Sequence, residues 1–315
     1  MPKCSTRLSP REEVTKSLIK TLLFCLILSL AAVAFAQETA DDDDSSLENL
    51  PVGVDLLEEF IRGHVALKTV DTNFSQWPFL RRELNEIPGA DSLLAPFLFK
   101  MMELRGGLRE QVTIYQFGGS HIKPGWFAGA TENLFDNFFE EQSENPGAPG
   151  FRFLYKGING ASFTNQFNND EVFASYRDLK PDLIVISMGT NDAQGTYSAQ
   201  RFHTALTKYM EKMYKYSGDT PILFTLPPDS YKNGVPNPDV VKVANEIKAY
   251  AAEHGHAWWD LQQVMGGPGS FSTWQNQGIG GKDMVHFNAQ GYRLQGQLLY
   301  EALLRAYKSY AERGE

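Results

Sequence analysis

Cysteine is nearly missing from this 315-residue chain: there are two, Cys4 and Cys25, both within the first 36 residues. If that segment is removed, neither a disulfide nor a thiolate nucleophile is left, and stability must come from the core alone. Basic charge is scarce too. The chain holds 29 lysines and arginines against 38 acidic residues, and from Gln37 onward 24 against 36. That balance lacks the electrostatic footprint of a protein that binds nucleic acid or anionic lipid, and it suits a neutral substrate better than a polyanion. There is no internal repeat and no low-complexity stretch beyond one acidic run. His254 and His256 flank Gly255 with no cysteine or carboxylate cluster to complete a metal site, so neither metal nor cofactor is expected.

Residues 1–36 carry the pattern of an export signal. Lys3, Arg7, Arg11, Lys16 and Lys20 precede an apolar run from Leu22 to Ala34, and Ala34-Phe35-Ala36 offers small residues for cleavage. The expected mature chain begins near Gln37 and is periplasmic or extracellular, free of the membrane. The competing reading is a retained anchor, since Leu18 to Ala36 is nearly long enough to span a bilayer. Residues 37–50 include Asp41 to Asp44 and are too polar and self-repelling to pack, so they read as a spacer. Residues 51–109 are expected to form a helical extension leaning on the main domain, because 52–66 and 91–105 space apolar residues by three and four.

Residues 110–315 read as one α/β domain. Short apolar runs at 112–117, 151–155, 182–187, 221–226 and 256–261 alternate with helical patterns, which predicts a parallel sheet of about five strands covered on both faces. Ligands of such sheets sit at the carboxyl ends of the strands, so chemistry is sought just after each run.

After the first run, Ser120 follows the Gly118-Gly119 turn and precedes a helix expected from about Pro124, where backbone N–H groups can stabilise an oxyanion. Taken alone it could equally be a turn residue or helix cap. After the second run, Gly160 lets the backbone approach closely and can aim an N–H into the cleft. After the third, Asn191 can offer a side-chain amide as a further oxyanion donor. Near the end of the chain, Asp283 and His286 share a loop before an amphipathic helix. A serine hydroxyl needs a base to take its proton, and a neutral imidazole needs an acceptor to fix its tautomer. His286 fits the first need and Asp283 the second. His121, beside Ser120, is expected either to line the cleft or to cap the following helix.

Ser120, Gly160, Asn191 and Asp283 with His286, in this order, resemble the four consensus blocks of the SGNH (GDSL-like) serine hydrolase superfamily. The resemblance spans about residues 110–305. It implies a three-layer α/β/α flavodoxin-like fold, a Ser120–His286–Asp283 triad, and an oxyanion hole from the Ser120 and Gly160 N–H groups and the Asn191 amide. One departure stands out: the first block usually reads Gly-Asp-Ser, and here Gly119 takes the place of the aspartate.

Within that superfamily, GSHIKPG, GINGASF and MGGPGSFSTWQNQG look most like exported carbohydrate O-acetylesterases, including those acting on O-acetylated peptidoglycan. The implied partner is an O-acetylated carbohydrate or small acetyl ester; the alternatives are an O-acetyltransferase with the same triad and a glycan-binding pseudoenzyme. Trp126, Trp258, Trp259 and Trp274 could stack on sugar rings. Trp258 and Trp259 lie in a strand pattern and are expected in the core, which leaves Trp274, in a Gly-rich loop before the Asp283 block, as the cleft candidate.

Overall fold

The structure, a computed structural model, describes residues 73–140 and 150–312. The expected export signal with its two cysteines, the acidic spacer and the 52–66 helix with His64 lie outside the described residues.

A 3-10 turn at Arg82–Leu84 leads into α1 (Ala90–Leu93) and α2 (Ala95–Arg105). The single helix expected over 91–105 is broken at Leu94. Pro96 has no N–H to donate and is tolerated only in a first helical turn, so a new helix starts there. The chain continues through β1 (Val112–Gly118), α3 (Trp126–Glu140), β2 (Phe151–Gly157), α4 (Phe163–Gln166), α5 (Asp170–Leu179) and β3 (Leu183–Ser187). Next come α6 (Thr190–Gln194), α7 (Ala199–Ser217), β4 (Ile222–Thr225) and a small ribbon of β5 (Tyr231–Lys232) with β6 (Val235–Pro236). The order closes with α8 (Pro238–Glu253), β7 (Ala257–Trp259), α9 (Leu261–Val264), α10 (Phe271–Asn276) and α11 (Ala289–Glu312).

The five main strands run parallel in the order β2-β1-β3-β4-β7. All five β3 residues are buried, as a strand covered by helices on both faces requires. Tyr115, Phe117, Ile184, Ile186 and Phe224 form one core with buried residues of α5, α7 and α8. The opposite face is filled by aromatic rings: Phe135 of α3 stacks on Phe151 of β2 at 4.2 Å and meets Tyr300 of α11 edge-on at 4.7 Å. This is the three-layer architecture expected above.

The segment before β1 is fastened by one buried amide. Asn85 donates to the Leu298 carbonyl (3.0 Å) and the Glu301 carboxylate (2.7 Å), and its Oδ1 accepts from the Trp259 indole N–H (2.8 Å). Arg82 pairs with the same carboxylate. Burial alone would raise the Glu301 pKa, but the bonds from Arg82 and Asn85, with Arg305 nearby, hold it below the usual range.

Candidate active site

Strand order reverses on either side of β1, which opens a crevice at the strands' carboxyl ends. Gly118 of β1 is level with Gly157 of β2 and Ser187 of β3, so the loops that follow all three leave at one height. The first two loops carry Ser120 and Gly160, and the third leads into α6, which carries Asn191.

His286 arrives from the loop before α11. Its Nε2 lies 2.8 Å from Ser120 Oγ, and its Nδ1 lies 2.7 Å from Asp283 Oδ2. The other carboxylate oxygen of Asp283 accepts the Val285 and His286 backbone N–H groups at 3.0 and 2.9 Å. Partial burial would raise the Asp283 pKa, but the bonds from His286 and Val285 outweigh it and hold the carboxyl below its ordinary range. An ionised carboxylate only accepts, so Nδ1 carries the proton and Nε2 is left to accept from Ser120. The loop is pinned from outside as well. Tyr231 N–H donates to the Met284 carbonyl (2.9 Å), Gly281 N–H donates to the His286 carbonyl (2.7 Å), and Met284 sits at φ +55°. Phe287, the next residue, packs on Phe271 and Trp274 at 4.6 and 5.2 Å.

Gly160 is exposed at φ +73°, and Asn165 Nδ2 donates to its carbonyl (2.9 Å) while Asn165 Oδ1 accepts the Ser162 N–H (3.0 Å). These bonds set the orientation of the Gly160 peptide. Asn191 Nδ2 donates one hydrogen to the Ala161 carbonyl at 2.9 Å, which leaves its second hydrogen for a ligand. A side chain at Gly119 would begin 3.2 Å from that same nitrogen, so the amide lies alongside the Ser120 turn. Asp192, unremarked in the sequence, staples α6 to α4: its carboxylate accepts from Phe163 N–H (3.0 Å), Thr164 N–H (3.2 Å) and Thr164 Oγ1 (3.0 Å). Burial raises its pKa against the pull of these donors. A cavity of about 150 Å³ opens beside Asn191, lined by Thr164, Tyr197, Ser198 and Arg201 among others.

His121 faces Tyr292 at 6.5 Å and lines a small internal cavity with Thr190, Thr225 and Gln295. Burial, aided by nearby His286, pushes its pKa down to about 4. It is therefore uncharged at neutral pH and does not repel an imidazolium formed at His286. Trp274 does not line the cleft, which corrects the expectation. It is 0% exposed, donates its indole N–H to the Met265 carbonyl (3.0 Å), and forms the floor beneath Phe287. The expected loop is here the short helix α10, flanked by Gly269 and Gly278 at positive φ. Trp259 is buried, as expected, whereas Trp126 is exposed near the site. Among the described residues no group of three or more His, Cys, Asp or Glu side chains is placed to hold a metal ion, and no helix is long and apolar enough to cross a membrane.

The fold is shared with solved structures of low sequence identity. One, described as a peptidoglycan O-acetylesterase in action, superposes with a TM-score of 0.61 at 17% identity, over 68% of this chain and 96% of that one. Another, a two-domain esterase active on acetylated mannans and crystallised with mannopentaose, gives a TM-score of 0.53 at 18% identity, over 73% of this chain and 57% of that one. No curated protein matches the chain significantly. The model of the GDSL-like lipase/acylhydrolase family matches residues 117–294, the stretch that contains all four blocks. That match spans more than half of the chain, which thus belongs to the GDSL-like lipase/acylhydrolase family and is a carboxylic ester hydrolase of the SGNH superfamily.

Proposed function

We propose that this protein is an exported serine esterase that removes O-acetyl groups from a carbohydrate, with peptidoglycan as the first glycan to test. The observation that carries the reading is the hydrogen-bonded chain from Ser120 Oγ through His286 to Asp283, at 2.8 and 2.7 Å, beside the Asn191 amide. In the proposed reaction His286 Nε2 takes the Ser120 proton as Oγ attacks the acetyl carbonyl. The Ser120 and Gly160 N–H groups and Asn191 Nδ2 hold the oxyanion. Collapse of the tetrahedral intermediate expels the sugar oxygen, which takes the proton from His286 and leaves a free hydroxyl. Water, deprotonated by His286, then releases acetate and restores Ser120. Asp283 stabilises the imidazolium in both halves.

The acetylated-glycan substrates of the two structural neighbours, the acidic charge balance and the export-like residues 1–36 support the choice of substrate and location. In the same reading residues 37–50 are a spacer and residues 51–109 lean on a catalytic domain of residues 110–315.

The test is acetate release from a chromogenic acetyl ester, then from O-acetylated peptidoglycan and other acetylated glycans. We expect turnover of acetyl over longer acyl esters and its loss in Ser120→Ala. A folded protein inert toward every ester would sink the esterase reading. Acetyl appearing on an added sugar rather than as acetate would make it a transferase. N-terminal sequencing of protein recovered outside the cytoplasm should begin at Gln37; an intact first residue would contradict cleavage.

A further inference from the structure

Among the described residues two aromatic side chains stand prominently exposed, Trp126 at 38% and Tyr155 at 44%, although they are far apart in sequence. They meet at Gly125. A Cβ there would fall 2.2 Å from the Tyr155 hydroxyl, so the phenol lies against the residue that precedes Trp126. The Trp126 indole is backed by Tyr292, with ring centres 6.3 Å apart and planes 27° apart. Tyr292 is buried, faces His121 beside Ser120, and packs on Phe287 beside His286 at 5.8 Å. Trp126 is thereby connected through packed rings to His121 and Phe287, the neighbours of Ser120 and His286, and Tyr155 joins it at Gly125.

We infer that Trp126 and Tyr155 form a sugar-ring subsite flanking Ser120, which holds a neutral pyranose of the glycan adjoining the acetylated sugar. The inference rests on the esterase reading for its choice of polymer. A pyranose offers a flat face of C–H groups to an aromatic ring and hydroxyls at its rim, matching an indole and a phenol that each pair an apolar face with one polar atom. Tyr292 fixes the indole before ligand arrives, so little freedom is lost on binding. Just before Gly125, Lys123 and Pro124 are exposed, which breaks the apolar surface that a lipid layer would need.

The experiment uses the full chain carrying Ser120→Ala, with chitopentaose and mannopentaose as probes, read by calorimetry and by tryptophan fluorescence. We expect at least one oligosaccharide to bind and to shift the emission. Adding Trp126→Ala should weaken binding about tenfold or more and abolish the shift, Trp126→Phe should restore part of the affinity, and Tyr155→Ala should weaken it as well. Leu179→Ala, an exposed apolar change at the end of α5, just before the amino end of β3, should leave binding unchanged. Equal affinity with and without Trp126, binding only to lipid vesicles, or no oligosaccharide binding by the folded protein would each overturn the subsite. Hydrolysis of the chromogenic ester by the unaltered protein is scored separately. If it is present without Trp126-dependent binding, the subsite fails alone; if it is absent while that binding persists, the esterase reading fails alone.

Discussion

Asn191 shows how a site residue can be legible while its placement is not. Its position after a strand was readable, but what aims it is the Ala161 carbonyl, and a backbone oxygen carries no residue type for a sequence to display. In the proposed oxyanion hole, loss of one donor costs about 3 kcal/mol in the transition state, so Asn191→Ala should lower kcat on an acetyl ester by about 100-fold or more with little change in KM. Two histidines make a separate claim on stability. Burial pushes His121 and His256 down to about 4 in the fold, whereas the unfolded chain protonates them near 6.5. Between those values the unfolded state binds more protons, so each histidine removes up to about 3 kcal/mol of stability as pH falls from 6.5 to 4. Denaturant unfolding of His256→Asn should accordingly show a smaller loss between pH 7 and 4 than the unaltered protein, by about that amount. An equal loss in both would remove His256 from the account.

At the scale of elements, the strands were readable because buried parallel strands are short and continuously apolar, and the runs at 182–187 and 221–226 miss the observed ends by a single residue. The helix over 91–105 was misjudged because periodicity carried through Leu94 while Pro96 restarted the backbone. Trp274 was misplaced for a related reason: the glycines around it suggested a loop, whereas it lies in the short helix α10 with its side chain turned inward. Its truncation discriminates the two placements, since Trp274→Ala would open a cavity beneath Phe287 and lower stability by about 3–5 kcal/mol in chemical denaturation. A cleft residue would lose far less. The contact of α3 with α11 is equally demanding. A Cβ at Gly296 would meet the Phe127 carbonyl at 2.3 Å and Ala130 Cβ at 3.0 Å. Gly296→Ala should therefore force the helices apart and lower the stability by about 1–3 kcal/mol, visible as a reduced Tm.

For the whole molecule, the parts least visible in the sequence are those joined across the longest separations. Nothing around residue 85 hints that its amide will bind an indole 174 residues away and a carboxylate 216 residues away. Asn85→Ala would strand the Trp259 N–H and part of the Glu301 carboxylate in the interior. We expect a loss of about 3 kcal/mol or more in denaturant unfolding, with Asn85→Asp no rescue, because a second carboxylate would face Glu301.

The packing of α11 against α3 also sets an order of events in time. Thr131 Oγ1 donates to the Gly296 carbonyl (3.0 Å), a partner that the ribosome adds 165 residues later. Until then the Phe135 and Phe138 side of α3 has no cover from Tyr300 or Tyr307, so one face of the sheet stays open through most of synthesis. Such a chain is still unfinished when α11 is made, and that delay is what the export proposed above would use to pass an unfolded polypeptide through a channel.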